Sequence, residues 1–381
     1  MIEGLPKQLA RTFRQKIASG EWGAGSRLPT TRELAVEFNV SVNTIQNAFR
    51  ELEAANLVER RPRIGGFVKA RVETETSRKA TTIAVVGPYT EQGYAADQAN
   101  SWAYRIIRGC DAELAPSGFH VAIFSYGAAD PQAVQHVLER IDQARESLAG
   151  VLCFINPVIK GLIDELDRRN MAWVTVNRPK EHASQNFVAH DAFAAARLVA
   201  RCFAKIGFER AMILSDSLAS GRSAGDKLFG FMEGWIESGM PSRAADFVDC
   251  GGFQEQQGYD AFKKYVEQYG VPRCVLASGD LLAIGLMRAC REMGISIPKD
   301  LAIVGGTGLQ LSAYSHPTLT VMDTPMEQMG LEAAQMLLTM AREGIRRMVG
   351  RYSKVNLVVR ESCPIPADLL ASEQAAIEQL R

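Results

Sequence analysis

The chain reads as an α/β protein in two parts: a short helical module closed by a β-hairpin, followed by a much larger two-lobed core of parallel sheets. Three observations predict this. Residues 30–52 carry two helix starts separated by a tight turn. From Thr81 onward, short apolar runs alternate with amphipathic helical stretches, the pattern of parallel sheets covered by helices on both faces. Between these regions, the stretch ARVETETSRKA has no hydrophobic periodicity and reads as a linker.

Taken in order, Thr30 followed by Glu33 predicts a capping box, in which each side chain satisfies an orphan backbone N–H at a helix start. Leu34, Ala35 and Phe38 mark the apolar face of that short helix. Asn39 stands where it must stop, and asparagine tolerates the left-handed backbone needed there. Ser41 then caps a second helix whose apolar stripe is Ile45, Ala48, Phe49 and Leu52. The opposite face is polar and uncharged, with Asn43, Gln46 and Asn47, and Thr44 nearby. Amides both donate and accept, which suits the mixed edge patterns of bases in a major groove. This predicts a helix-turn-helix with the second helix as the reader. Leu57 to Arg61 and Gly65 to Lys69 predict two short strands, a wing whose tip carries Arg60, Arg61 and Arg63 to grip phosphates.

The whole chain of 381 residues, 47% hydrophobic, has 43 basic and 43 acidic residues. The charge is nonetheless uneven. Residues 1–79 hold 14 Lys or Arg against 9 Asp or Glu, and the remainder 29 against 34. Attraction for polyanions is therefore concentrated at the N-terminus. No basic start followed by an apolar stretch and no long apolar run occurs, so a cytoplasmic protein without membrane contact is expected. The seven cysteines form no CxxC pair and read as buried thiols, and the five histidines show no metal spacing.

In the core, the runs TIAVVGP, HVAIFSY, GVLCFIN, AWVTVNR, RAMILSD, ADFVDCG, CVLASGD and LAIVGGT predict successive strands, and a shift near Asn177 to Asp191 divides them into two lobes. Ligands of open parallel sheets bind beyond the C-terminal strand ends. Tyr89, Tyr126, Asn156, Asn177, Arg178, Asp216, Asp280, Thr307 and Asp323 follow such runs, and Trp102 offers an aromatic face for a sugar ring. Each has a plainer reading beside it. Asp280 and Asp216 also suit helix caps, Arg178 a solvated hinge residue, and Trp102 ordinary packing.

The N-terminal segment, from about Leu5 to Lys69, resembles the winged helix-turn-helix of GntR-family transcription regulators. The likeness rests on LPTTRELA, VSVNTIQNAF and a wing ending GGFV, against a family pattern of LPSERELA, VSRTTVRRAL and G-x-G-x-F-V. The resemblance implies phosphate contact by Arg32, places Thr44 and Gln46 on the recognition helix, and puts Gly65 in the wing; Ser41 belongs to the same DNA-facing set. Val42 stands where the family has arginine, and Arg63 replaces the first wing glycine.

Residues 82–362 resemble the type I periplasmic-binding-protein-like core of LacI-type repressors and sugar-binding periplasmic proteins. The matching pieces include IRGCDAELAPSGFHVAIF, KIGFERAMILSD, ASGDLLAIGLMRACREMGISIPKDLAIVGG and SHPTLTVMD. What this implies is two lobes joined by three crossings, near Arg178, Tyr314 and Arg351, with a small molecule between them. The expected division is a head at 1–70, a linker at 71–80, and an effector domain at 81–365, its first lobe 81–178 plus 315–345 and its second 179–314 plus 346–365. A helical tail at 366–381 either packs on the body or assists assembly. A GntR-type head on such a body is similar to the arabinose-repressor type of architecture.

Departures matter for the ligand. Gly225 stands where sugar-responsive relatives carry an arginine, with Arg222 close but unaligned. Thr307 replaces the usual Asp, and Gly279 the usual Asn before Asp280. The expected function is a homodimeric repressor of double-stranded operator DNA, controlled by a sugar or related metabolite. An activator of the same build is the alternative, and a binding protein without regulatory function stands further off. An enzyme is disfavoured because no HExxH, GxSxG, P-loop or GxGxxG pattern occurs where a strand meets a helix, nor a lysine region matching the aminotransferase-like bodies fused to some GntR heads. No cofactor and no metal are expected.

Overall fold

The computed structural model describes residues 5–18, 22, 26–54, 57–61, 65–68, 80–87, 102–126, 130–154, 161–178, 185–216 and 222–379. It separates into two compact units, Met1–Arg78 and Lys79–Arg381.

In the first unit, α1 (Leu5–Ala18), α2 (Thr31–Glu37) and α3 (Val42–Ala54) are followed by an antiparallel pair, β1 (Val58–Arg61) and β2 (Gly65–Val68). The predicted capping box is formed: Glu33 N–H donates to Thr30 Oγ1 at 3.2 Å, and Thr30 N–H donates to Glu33 Oε2 at 2.7 Å. Asn39 takes the left-handed turn, φ 50°. Ser41 caps α3, its Oγ accepting from Thr44 N–H at 3.1 Å. Ile45, Ala48, Phe49 and Leu52 are buried with Leu34 against Phe13, whose ring lies 5.2 Å from that of Trp22 and 5.7 Å from that of Phe49.

The second unit contains two six-stranded sheets. The first has the order β13-β7-β6-β5-β3-β4 and is parallel throughout: β3 (Thr82–Gly87), β4 (His120–Ser125), β5 (Leu148–Phe154), β6 (Trp173–Val176), β7 (Phe187–His190) and β13 (Arg351–Ser353). One face is covered by α4 (Trp102–Leu114) and α11 (Met326–Glu343), the other by α5 (Ala133–Gln143) and α6 (Leu162–Arg168).

The second sheet has the order β14-β12-β11-β10-β8-β9: β8 (Ala211–Ser215), β9 (Ala245–Asp249), β10 (Cys274–Ala277), β11 (Ala302–Gly305), β12 (Thr320–Asp323) and β14 (Asn356–Val358). Only β14 runs antiparallel. Its faces are covered by α7 (Ala192–Ile206) with α8 (Arg222–Glu237), and by α9 (Glu255–Tyr269) with α10 (Asp280–Glu292).

The crossings between lobes fall later than the sequence predicts. Phe187 and Val188 are buried and β7 pairs with β6, so the first lobe completes its sheet before the chain leaves at Asp191 rather than at 178. Likewise β12 pairs with β11, which moves the return crossing from 314 to the turn after Asp323. β13 pairs with β7, so the last crossing lies between Ser353 and Asn356.

Three helix pairs cross with almost no space between their backbones. A Cβ on Gly109 would lie 1.9 Å from the carbonyl oxygen of Glu327, and one on Gly330 would lie 1.9 Å from that of Ile106, which locks α4 to α11. Gly230 and Gly234 bring α8 close to α7, where a Cβ would lie 2.2 Å and 2.4 Å from carbonyl oxygens, and Gly258 and Gly285 join α9 to α10.

The tail forms α12 (Ala367–Glu378), which packs on the second lobe. Ile377 is buried in that core, and buried Glu373 accepts from Arg201 Nε of α7 at 2.6 Å.

Candidate nucleic-acid interface and effector cleft

The DNA-facing candidates of the head divide by what their side chains already do. Arg32 is exposed in the first turn of α2, and Asn43 is exposed on α3 with Gln46 half-buried one turn along. Ser41 and Thr44 are occupied with each other, their hydroxyls 2.7 Å apart in the cap. Asn47 accepts from Arg50 Nη1 at 2.8 Å, which occupies its amide oxygen and leaves the N–H groups out of that bond. Arg50 itself is exposed beside it, a cation the sequence reading passed over. Gly65 has φ 124°, a backbone region that side chains rarely adopt, and a Cβ there would press on Arg27 Nε at 3.2 Å. Arg60 and Arg61 lie on β1, while their side chains, and the whole of Arg63, fall outside the described residues.

Between the lobes, three contacts among the described residues tie one side of the cleft to the other. Arg105 of α4 donates from Nη1 to the carbonyl oxygen of Gly308 at 3.1 Å. His190 at the end of β7 places Nε2 3.0 Å from Ser223 Oγ of α8. Arg178, just beyond β6, stands 3.9 Å from Asp226 of α8 and 5.9 Å from the Tyr352 ring. Leu309 adds an apolar link, since it belongs to the loop after β11 yet packs in the core of the first lobe.

Several predicted effector residues turn out to hold the protein itself. Asp280 is 1% exposed, and its carboxylate accepts from Thr307 N–H at 3.0 Å, Leu309 N–H at 2.6 Å and Ser312 Oγ at 2.6 Å. Nor does it cap its helix in the usual way, because Gly279 occupies the N-cap. It fixes the loop that carries Leu309. Asp216 is also buried, against the hydroxyls of Ser215 and Ser278, each 3.3 Å from its Oδ1. Thr307 is half-buried, its N–H given to Asp280.

The second-lobe floor contains a residue the sequence reading missed. Lys227 of α8 is buried and donates to the carbonyl oxygens of Ser278 at 2.6 Å and Gly306 at 3.1 Å, at the ends of β10 and β11. Burial holds its ammonium below the usual lysine range, opposed by the nearby carboxylates of Asp216 and Asp280. Its partners are backbone carbonyls far along the chain, so no side-chain motif announces it.

The remaining candidates are less fully engaged by the protein. Tyr126 is 5% exposed, burial raises its phenol, and its OH has no hydrogen-bond partner among the described residues. The same holds for Arg178 Nε. Trp102 is 42% exposed at the start of α4 and meets Phe154 edge-on at 5.1 Å. Asp323 is raised above the usual carboxylate range by burial, with Arg105 and Arg360 opposing. Tyr89 and Asn156 lie outside the described residues, as does the side chain of Arg222. No group of three or more metal-ligating side chains occurs among the described residues, and no helix there is long and apolar enough to cross a membrane.

His190 gives the cleft a pH dependence of definite sign. Burial, followed by the charge of Lys227, lowers its pKa from 6.5 to about 3, so it is neutral in the folded state at any pH above that. The unfolded chain binds a proton below 6.5, and stability is therefore lost as pH falls from 6.5 toward 3. The full slope for one proton is about 1.4 kcal/mol per pH unit. Thermal melts of wild type and His190→Gln across this range are expected to diverge, with the variant showing the shallower decline; parallel curves would assign the acid lability elsewhere.

Comparison with known proteins agrees with this geometry. Residues 5–68 match the family of bacterial regulatory proteins of the gntR family, and residues 200–363 match the periplasmic binding protein-like domain. The arabinose metabolism transcriptional repressor of Geobacillus stearothermophilus is 25% identical over 375 residues, which covers 94% of this chain and 98% of that protein. The HTH-type transcriptional repressor PurR of Erwinia tasmaniensis is 28% identical over 197 residues; that match takes in 51% of this chain and 57% of the repressor's length. Among solved structures, a LacI family transcriptional regulator from Enterococcus faecium with bound ribose aligns with a TM-score of 0.62 at 19% identity, over 75% of this chain and 99% of its own. The CelR–cellobiose complex aligns at 0.65 and 20% identity, over 88% and 100%. At these identities the structural likeness is one of fold.

A winged helix-turn-helix head and a periplasmic-binding-protein-like domain on one polypeptide define a DNA-binding regulator. Head and body together have the build of a LacI/GntR-type transcriptional regulator.

Proposed function

We propose that the chain is a homodimeric repressor whose two heads occupy half-sites of a palindromic operator, and that a sugar or related metabolite between the lobes of residues 81–365 releases it. The observation that carries this reading is the set of polar contacts bridging the cleft, Arg105 to Gly308, His190 to Ser223 and Arg178 to Asp226. A ligand wedged there acts on both lobes at once, and dimer symmetry copies the change into head spacing. Tyr126 OH and Arg178 Nε, which lack protein partners among the described residues, supply donors for ligand oxygens. The full-length likeness to an arabinose repressor, and the ribose and cellobiose named for two structural neighbours, support the choice of a polyhydroxy compound.

In the head, Gln46 and Asn43 are assigned to base edges, Asn47 to the same surface in an orientation set by Arg50, and Arg32, Arg60, Arg61 and Arg63 to phosphates. Gln46→Ala is expected to weaken specific binding by about 1–3 kcal/mol while leaving binding to random duplex unchanged. Equal loss on both would remove Gln46 from base reading.

The deciding experiment uses the full chain. A duplex enriched from a random library is titrated with protein in the presence of sugars, sugar acids and nucleosides, after a thermal-shift screen of the same compounds. A stabilising compound is expected to lower duplex affinity by roughly 5- to 150-fold, the range of typical coupling energies. A compound that stabilises the fold and leaves duplex affinity unchanged defeats the proposed linkage.

A further inference from the structure

Val42 opens α3, and nothing among the described residues of the head accounts for a valine there. Its side chain is 39% exposed, it belongs to no part of the head's apolar cluster, and the cap at this helix start is made by Ser41 and Thr44 without it. A β-branched residue also forms helix less readily than a straight-chain one. Its neighbour on the helix surface, one turn along, is Gln46, assigned to a base edge. Against amide, carbonyl and ring-nitrogen edges an apolar side chain leaves polar groups without partners. One major-groove group rewards it, the 5-methyl of thymine.

We infer that Val42 is a specificity-determining residue that packs its methyl groups on a thymine 5-methyl. The inference rests on the proposed reading of α3 as the helix that enters the groove. Side chains four apart on a helix are about 5–6 Å from each other, and successive bases on a strand rise ~3.4 Å. The thymine therefore lies one or two base steps from the base pair read by Gln46, and the pair of side chains reads a short A·T-containing step with no charge of its own. The exposed cations nearest in sequence, Arg32 and Arg50, remain available for phosphates.

The test uses the full-length protein and a duplex enriched from a random library, with each thymine replaced in turn by deoxyuridine, which lacks only the methyl group. At one thymine per half-site, replacement is expected to lower affinity about fourfold, the change that burying one methyl-sized group produces. Val42→Ala is expected to bind the thymine and deoxyuridine duplexes equally at that position, and Val42→Thr, which keeps one methyl, to retain part of the difference. If no thymine is methyl-sensitive, or if Val42→Ala discriminates as wild type does, the inference is overturned while the reading of α3 stands. If the library yields no enriched sequence, the reading of α3 falls and takes the inference with it.

Discussion

Asp280→Ala is expected to destabilise the two-lobed core by roughly 3–5 kcal/mol, because three donors, two of them fully buried, lose their common acceptor at once. Those donors are Thr307 N–H, Leu309 N–H and Ser312 Oγ. The loop they belong to carries Leu309 into the other lobe and offers the Gly308 carbonyl to Arg105, so the interlobe contact loosens with it. Urea unfolding and thermal melts measure the loss. Asp280→Asn keeps the shape and at least one acceptor, and a smaller decrease is expected. A variant with an unchanged melting midpoint and no ligand response would instead make Asp280 a direct ligand contact.

Gly330→Ala is expected to destabilise the core by about 1–3 kcal/mol, the reverse of the usual effect of that change in a helix. Alanine ordinarily improves a helix by about 1 kcal/mol over glycine. Here the added Cβ would lie 1.9 Å from the Ile106 carbonyl oxygen, a contact that forces the α4–α11 crossing apart, and overpacking of this kind outweighs the propensity gain. Gly225→Ala is the control. It lies in the first turn of α8, where the nearest atom to a new Cβ belongs to the Phe229 ring at 3.8 Å, and up to about 1 kcal/mol of stabilisation is expected. Chemical denaturation of both variants checks the opposite signs; a stabilised Gly330→Ala would mean that the two helices accommodate the methyl by sliding.

What was legible in the sequence was what local chemistry decides. The Thr30–Glu33 capping box, the left-handed Asn39 and the stripe from Ile45 to Leu52 each depend on residues within a turn or two. Most of the two sheets was legible for a similar reason, since eight of their strands are apolar runs between helices, whereas β13 and β14 are not. Lobe boundaries were not, because whether the short strands Phe187–His190 and Thr320–Asp323 join one sheet or the other depends on neighbours in space. The cleft was the least legible part. Asp280 carries the same residue type whether it caps a helix, binds a ligand or anchors a loop, and only Thr307, Leu309 and Ser312 brought to its oxygens decide among these. Lys227 is held by carbonyls of Ser278 and Gly306, groups every residue possesses, so composition carries no trace of them.

The glycine crossings have a mechanical consequence. Backbones that touch without intervening side chains leave each helix pair little room to shift, so each lobe resists internal rearrangement as a plate would. On the proposed function, a displacement driven from the cleft concentrates at three narrow straps, at Asp191, at the turn after Asp323 and between Ser353 and Asn356. Stiffening a single strap by proline, rather than altering either plate, is the economical way to tune how far the sensor swings.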